Sequence, residues 1–347
     1  MVFLIQSVAT AEKIRWRMAT GRTPVLTPFH EADLNLAKMI TEMSGGRLEV
    51  TVYPAGELMP AFEIFDATRT GVIQMAAAWP GYWTSKNTAF DLLGSLALMM
   101  TAPDYMTWLY NGGGLELAQE LYGKYDLKFF PMGVTGPESG FRLKEPIHSI
   151  SDFKGRNLRC GAFGSIWILN QIGANPVRIP GGEVYMALKL GTIDGTEYAV
   201  PSTDWGMKLQ EVTDYILTPA WHQAGVVSDL MINMDAWKKL PDDLKAIVET
   251  ACRANMLWLY SKANWDAIEA VRNFEKAGIK ESRLDDKALE KLEELAIKYM
   301  EKQSAENPDY AKIAKSMTNY LKEYDRVRNL EGRFAHGTSL TKYPEIK

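Results

Sequence analysis

Arg159 follows Asn157 and Leu158 in an extended run, and an arginine at the end of a strand can hold its guanidinium rigidly. That planar fork matches a carboxylate through two parallel charge-assisted hydrogen bonds. A surface arginine in an ion pair fits the same pattern, so residue type alone leaves both readings open. Other chemistry is scarce. Of the four histidines, His30, His148, His222 and His336, none has an i, i+4 partner for zinc, and each alone reads as structural or surface. No G-x-S-x-G elbow, H-E-x-x-H helix, C-x-x-C pair or phosphate-binding G-x-x-x-x-G-K-[ST] loop occurs. Gly112-Gly113-Gly114 lacks dinucleotide-binding spacing and reads as a packing or hinge feature inside a helical pattern. Cys160 and Cys252 could form one disulfide or remain two buried thiols.

The elements that must position these residues alternate between helical and extended patterns. The spacing predicts a helix over 31–44, a strand over 48–53, a short helix over 61–70 and an apolar run over 72–78. One helix over 105–122 and a strand over 127–132 follow. Then come strands over 157–160, 176–179 and 192–198, interleaved with helices over 165–172 and 183–190. Such alternation predicts α/β lobes whose sheets are covered by helices. Between Pro241 and Gly278 there is no further proline or glycine. A helix there is ~55 Å long at the usual rise per residue, longer than one small lobe, and should run across two lobes as a spine. Val226–Asn233 before it reads as a strand crossing between lobes, and helices over 285–304 and 308–330 finish the chain.

Length and composition agree. With 347 residues, the chain exceeds what one core usually organises, and two domains are the natural expectation. The net charge is only −4, with lysine and arginine scattered, which argues against nucleic acid or an anionic membrane as the main partner. No run approaches the ~18 apolar residues of a membrane helix. The apolar Val2–Ile5 followed by Ala9-Thr10-Ala11 reads as the remnant of a secretory signal peptide over 1–11. The polar segment 331–347 reads as a loose tail.

Several segments together carry a family resemblance. They are Tyr53-Pro54-Ala55-Gly56-Glu57-Leu58, Asp152 to Arg159, Gly173-Ala174-Asn175-Pro176-Val177, Pro180 to Leu188, Gly191 to Glu197, and Asp235 to Pro241. In order and spacing they resemble the DctP family, the solute receptors of tripartite ATP-independent periplasmic (TRAP) transporters. Gly133 to Glu138, Glu197-Tyr198 and Ala220 to Gly225 resemble the branch that binds 2-oxo or 2-hydroxy monocarboxylates with a metal ion. That branch usually carries Gln in the first segment and Glu in the last. Here Glu138 and Gln223 stand the other way round, and Glu197-Tyr198 replaces Glu-Trp.

The resemblance implies a two-lobe periplasmic solute-binding fold, with mixed sheets flanked by helices and a long helix between lobes. It places the carboxylate-clamping arginine at Arg159. It makes Glu138, Glu197, Gln223 and the Tyr198 carbonyl the metal ligands, with Glu138 also near the solute. Oxygen-only ligation suits calcium, sodium or magnesium. Two glutamates and a ligand carboxylate against one arginine leave two negative charges, which favours calcium over sodium because buried uncompensated charge is costly. Phe62, Tyr82, Trp83 and Trp221 are candidate apolar walls.

The expected organisation is a first lobe from 12–135 and 226–258 and a second from 136–225 and 259–330. The expected function is non-enzymatic capture of a small organic acid such as pyruvate or lactate between closing lobes. Permease subunits in the membrane are the partners, and the C-terminal helices offer a homodimer surface. The alternative is a metal-dependent lyase or decarboxylase with Glu138 or Glu197 as base.

Overall fold

The computed structural model describes residues 13–332; the segment read as a signal-peptide remnant, and all but the first two residues of the expected tail, lie outside them. The strands, in chain order, are β1 (Ile14–Thr20), β2 (Leu48–Tyr53), β3 (Met75–Ala78), β4 (Leu127–Thr135), β5 (Arg142–Leu143), β6 (Asn157–Arg159), β7 (Asn175–Val177), β8 (Gly195–Thr196), β9 (Tyr215–Thr218), β10 (Val226–Asn233) and β11 (Lys280–Arg283). They form two mixed sheets, ordered β2-β1-β3-β10-β4 and β11-β9-β5-β8-β6-β7. Each sheet, with its helices, makes one lobe. β10 lies antiparallel between β3 and β4, and the β3 run Met75–Ala78 is buried throughout, as a central strand requires.

The chain changes sheets between β4 and β5, between β9 and β10, and along the helix Asp242–Lys276 that leads to β11. Pro241 precedes that helix as its N-cap and Gly278, in a left-handed conformation, follows its end. Its first half buries Leu244, Val248, Ala251 and Cys252 against the first sheet. Further on, Leu259 and Ala263 meet Phe29 of one lobe and Ala199 and Val200 of the other. Near its end Phe274 packs edge-on to Trp205, 5.2 Å away, under the Arg142 guanidinium.

Two expectations need correction. The helix expected over 105–122 is two helices, Ala102–Asn111 and Gly114–Gly123. Gly113 breaks it with φ +81°, and the Trp108 ring lies where a side chain on Gly114 would stand, 2.6 Å from an ideal Cβ. The last helix, Pro308–Glu331, packs on the first lobe rather than the second: Tyr310, Ile313, Ala314 and Met317 join the core of Phe65, Phe90 and Phe129. Of the two alternatives open for the cysteines, the structure has the second: Cys160 and Cys252 are buried free thiols in different cores.

Candidate functional site

The site begins at the end of β6. Arg159 leaves that strand fully paired, with β7 on one side and β8 on the other. Its Nη1 donates to the Glu197 carbonyl at 2.7 Å and lies 3.1 Å from Glu197 Oε1. Nε donates to the Ile179 carbonyl at 3.3 Å, and the guanidinium stacks over the Tyr198 ring at 4.8 Å. Glu197 follows β8 directly, and its carboxylate also accepts the Gly161 N–H. An ideal Cβ on Gly161 would lie 3.2 Å from Arg159 Nη2, so glycine there permits the approach.

Two further side chains converge on Glu197. Glu138 lies just past β4, and His222 lies between β9 and β10. His222 Nε2 is 2.9 Å from Glu138 Oε2 and 4.0 Å from Glu197 Oε2. In the amide orientation that satisfies both partners, Gln223 donates to Glu138 Oε2 at 2.8 Å. The Glu138 N–H donates to the Gln223 carbonyl at 3.2 Å. Burial, and then the neighbouring Glu197 carboxylate, push the Glu138 carboxyl well above its usual range. Burial lowers the His222 imidazole to about 4, so it is neutral near pH 7. Behind them, Arg142 and Asp204 form a buried ion pair at 2.9 Å, and Asp204 also accepts the Ser139 hydroxyl.

These groups face a small cavity of about 60 Å³ between the lobes, lined by Arg22, Leu26, Phe29, Trp79, Tyr82, Glu138, Arg159, Gly161, Glu197, Tyr198, Ala199, Gln223, Val226 and Ser228. The structure therefore brings together six of the residues the sequence pointed to: Arg159, Glu138, Glu197, Tyr198, Gln223 and Tyr82. It does not bring in the other three aromatics. Trp83 is buried in the first lobe's core, donating through Nε1 to Asp229 at 3.0 Å. Trp221 stacks on Phe141 in the second lobe's core. Phe62 stands behind Tyr82, edge-on at 5.1 Å, and beneath the Arg178 guanidinium.

Sequence reasoning missed Arg22, Phe29, Trp79 and His222. Arg22 sits under Phe29, ion-paired to Asp33 at 2.7 Å and donating to Ser228 at 2.8 Å. His222 adjoins Gln223 in sequence, which was the available signal for it.

Ligand atoms of Glu138, Glu197 and His222 all lie within 4.8 Å of one another. Two buried carboxylates this close repel each other unless a proton or a cation lies between them. Two carboxylates and the Gln223 amide form a donor set that fits a hard metal ion, and His222 hydrogen-bonds one of the carboxylates.

Comparisons with known proteins give the family and the fold. Residues 20–307 match the family model DctP, bacterial extracellular solute-binding protein, family 7. A monocarboxylate 2-oxoacid-binding periplasmic protein of Nostoc sp. is 33% identical over 258 residues, covering 74% of this chain and 70% of its own. The structure of a TRAP periplasmic solute-binding protein from Colwellia psychrerythraea, with bound calcium and pyruvate, is 31% identical, with a TM-score of 0.88 over 93% of this chain and 98% of that one. One from Pseudoalteromonas atlantica, with bound sodium and pyruvate, is 29% identical, with a TM-score of 0.88 over 92% of this chain and 97% of that one. The chain belongs to the DctP family of bacterial extracellular solute-binding proteins and is an extracytoplasmic solute receptor of the TRAP type, not an enzyme.

Proposed function

We propose that the receptor captures a small 2-oxo or 2-hydroxy monocarboxylate, such as pyruvate or lactate, together with a metal ion. The observation that carries this reading is one buried cluster, Arg159, Glu197 and Glu138, facing a small cavity with apolar walls. Arg159 supplies the fork for the ligand carboxylate. Glu138, Glu197, Gln223 and the Tyr198 carbonyl hold the ion, with His222 beside Glu138. The ion, when bound, supplies positive charge next to the ligand's carboxylate and 2-oxygen.

Charge favours calcium over sodium. Two glutamates and the ligand carboxylate bring −3 and Arg159 returns +1, so a divalent ion makes the cluster neutral and a monovalent one leaves −1. The solute is then released unchanged to permease subunits, after hinge motion of the lobes where the chain crosses between sheets, just after β4 and just before β10. A homodimer through the C-terminal helices is part of the same proposal.

The test is a thermal-shift screen of organic acids with and without calcium, on protein stripped with a strong chelator. A tight ligand raises stability by RT ln(1 + [L]/Kd). Pyruvate or lactate should raise Tm, and calcium should enlarge the shift. No shift with any monocarboxylate would overturn the reading. Mass spectrometry after long incubation should return the acid unaltered.

A further inference from the structure

Trp79 follows β3 in an extended conformation, immediately before the short turn Pro80–Trp83. Its indole is held by two close glycine approaches. An ideal Cβ on Gly81 would lie 2.1 Å from Trp79 Cη2, and one on Gly94 would lie 2.7 Å from Nε1. No side chain larger than hydrogen fits at either point without moving the ring. Tyr82 meets the same indole edge-on, with centroids 5.4 Å apart. The ring is therefore fixed on its first-lobe side.

The same six-membered ring also reaches the second lobe. The point where a Cβ on Gly161 would stand is 3.6 Å from Trp79 Cζ3, 3.2 Å from Arg159 Nη2 and 3.6 Å from Glu197 Oε1. The indole edge thus closes the cavity directly beside the arginine. Its N–H is buried without a partner and lies toward Gly94, so the ring presents carbon rather than a donor at this edge.

We infer that Trp79 sets the upper limit on the size of the ligand. This rests on the proposed capture of a carboxylate by Arg159. An acid bound there has its remaining carbons confined by a rigid indole, in a cavity of about 60 Å³. Three-carbon acids fit such a space, and each added methylene must displace a ring that the glycine contacts hold in place. The inferred substrate class is therefore short-chain 2-oxo and 2-hydroxy acids, with unbranched and branched five-carbon acids rejected by shape. Natural hydrophobic pockets discriminate single methylenes by about 10–200-fold, which is the scale expected here.

Calorimetry with pyruvate, 2-oxobutyrate, 2-oxovalerate and 3-methyl-2-oxobutyrate, in calcium, tests this on the parent, Trp79→Leu and Trp79→Phe. The quantity read is the ratio of Kd for each longer acid to Kd for pyruvate, so a loss common to all ligands cancels. The parent ratio should exceed about ten for the five-carbon acids. Trp79→Leu should lower it at least about ten-fold, and Trp79→Phe, which keeps a smaller ring between the glycines, should lower it less. An unchanged ratio in Trp79→Phe and in any folded Trp79→Leu protein overturns the inference. A parent that binds none of the four acids overturns the proposed function instead.

Discussion

Glu197 holds Arg159 by both its backbone and its side chain: the carbonyl oxygen accepts from Nη1 at 2.7 Å, and the carboxylate lies 3.1 Å from the same nitrogen. The guanidinium is aimed by a strand neighbour before any ligand arrives, so a carboxylate meets a donor already in place.

Arg159→Lys should retain the fold and lose most of the affinity. Lysine keeps the charge but cannot bridge Glu197, Ile179 and a ligand in one plane. A charge-assisted bond is worth ~1.5–3 kcal/mol, roughly ten- to hundred-fold in Kd. Calorimetry on a variant with native circular dichroism measures the loss; an unchanged Kd would remove Arg159 from the site.

Glu138 and Gln223 touch through both side chain and backbone. If they share one ion, it responds to their summed charge. Glu138→Gln should weaken metal and ligand together. Gln223→Glu should strengthen the metal but repel the acid. The double exchange should recover much of the parent affinity, a non-additivity expected for residues with a common partner. Additive effects, together with no response to a calcium chelator, would refute the shared ion.

Asp91 joins the lobes. From the first lobe it accepts the Gly164 N–H at 2.9 Å, at the start of the helix Phe163–Gln171, and the Tyr299 hydroxyl at 3.0 Å. Burial pushes its carboxyl up to about 7, from 3.8. The folded protein therefore keeps a proton that the unfolded chain releases. Stability should be fullest below about pH 4 for this group, fall as pH rises toward 7, and level off above; the whole effect is at most about 4 kcal/mol. Melting curves of Asp91→Asn should lose that component of the slope between these limits. An identical pH profile in the variant would show that Asp91 titrates normally.

Trp83→Phe should cost stability without changing affinity. It removes one of two hydroxyl or indole donors to the buried Asp229, the other being Tyr122 at 2.6 Å. A lost donor to a buried carboxylate costs ~1–3 kcal/mol. Denaturant unfolding should register it, while the ligand Kd stays at the parent value because Trp83 does not line the cavity.

Strands with strong pattern were legible: Leu48–Tyr53 and Val226–Asn233 stand where alternation and apolar content put them. The second sheet was harder. Arg142–Leu143 is two residues long and Tyr215–Thr218 four, too short for periodicity, and their partners lie far along the chain. The aromatic walls show the same limit at one turn. Pro80–Trp83 is a tight helix with three residues per repeat, so Trp79 and Tyr82 share a face while Trp83 turns into the core. The sequence reading named Tyr82 and Trp83 but not Trp79, because composition cannot say which of three neighbouring rings faces the cavity. His222 was passed over because its partner Glu138 is 84 residues away.

The position of β10 has a consequence for synthesis at the ribosome. As the chain emerges, β1 to β4 are made first, but β3 and β4 have no bond to each other until Val226–Asn233 arrives between them. Every strand of the other sheet except β11 is translated in the meantime. The first sheet to begin thus stays open while five of the six strands of the second are made. Its exposed strand edges must be kept apart, by the growing chain or by a chaperone, for the whole of that interval.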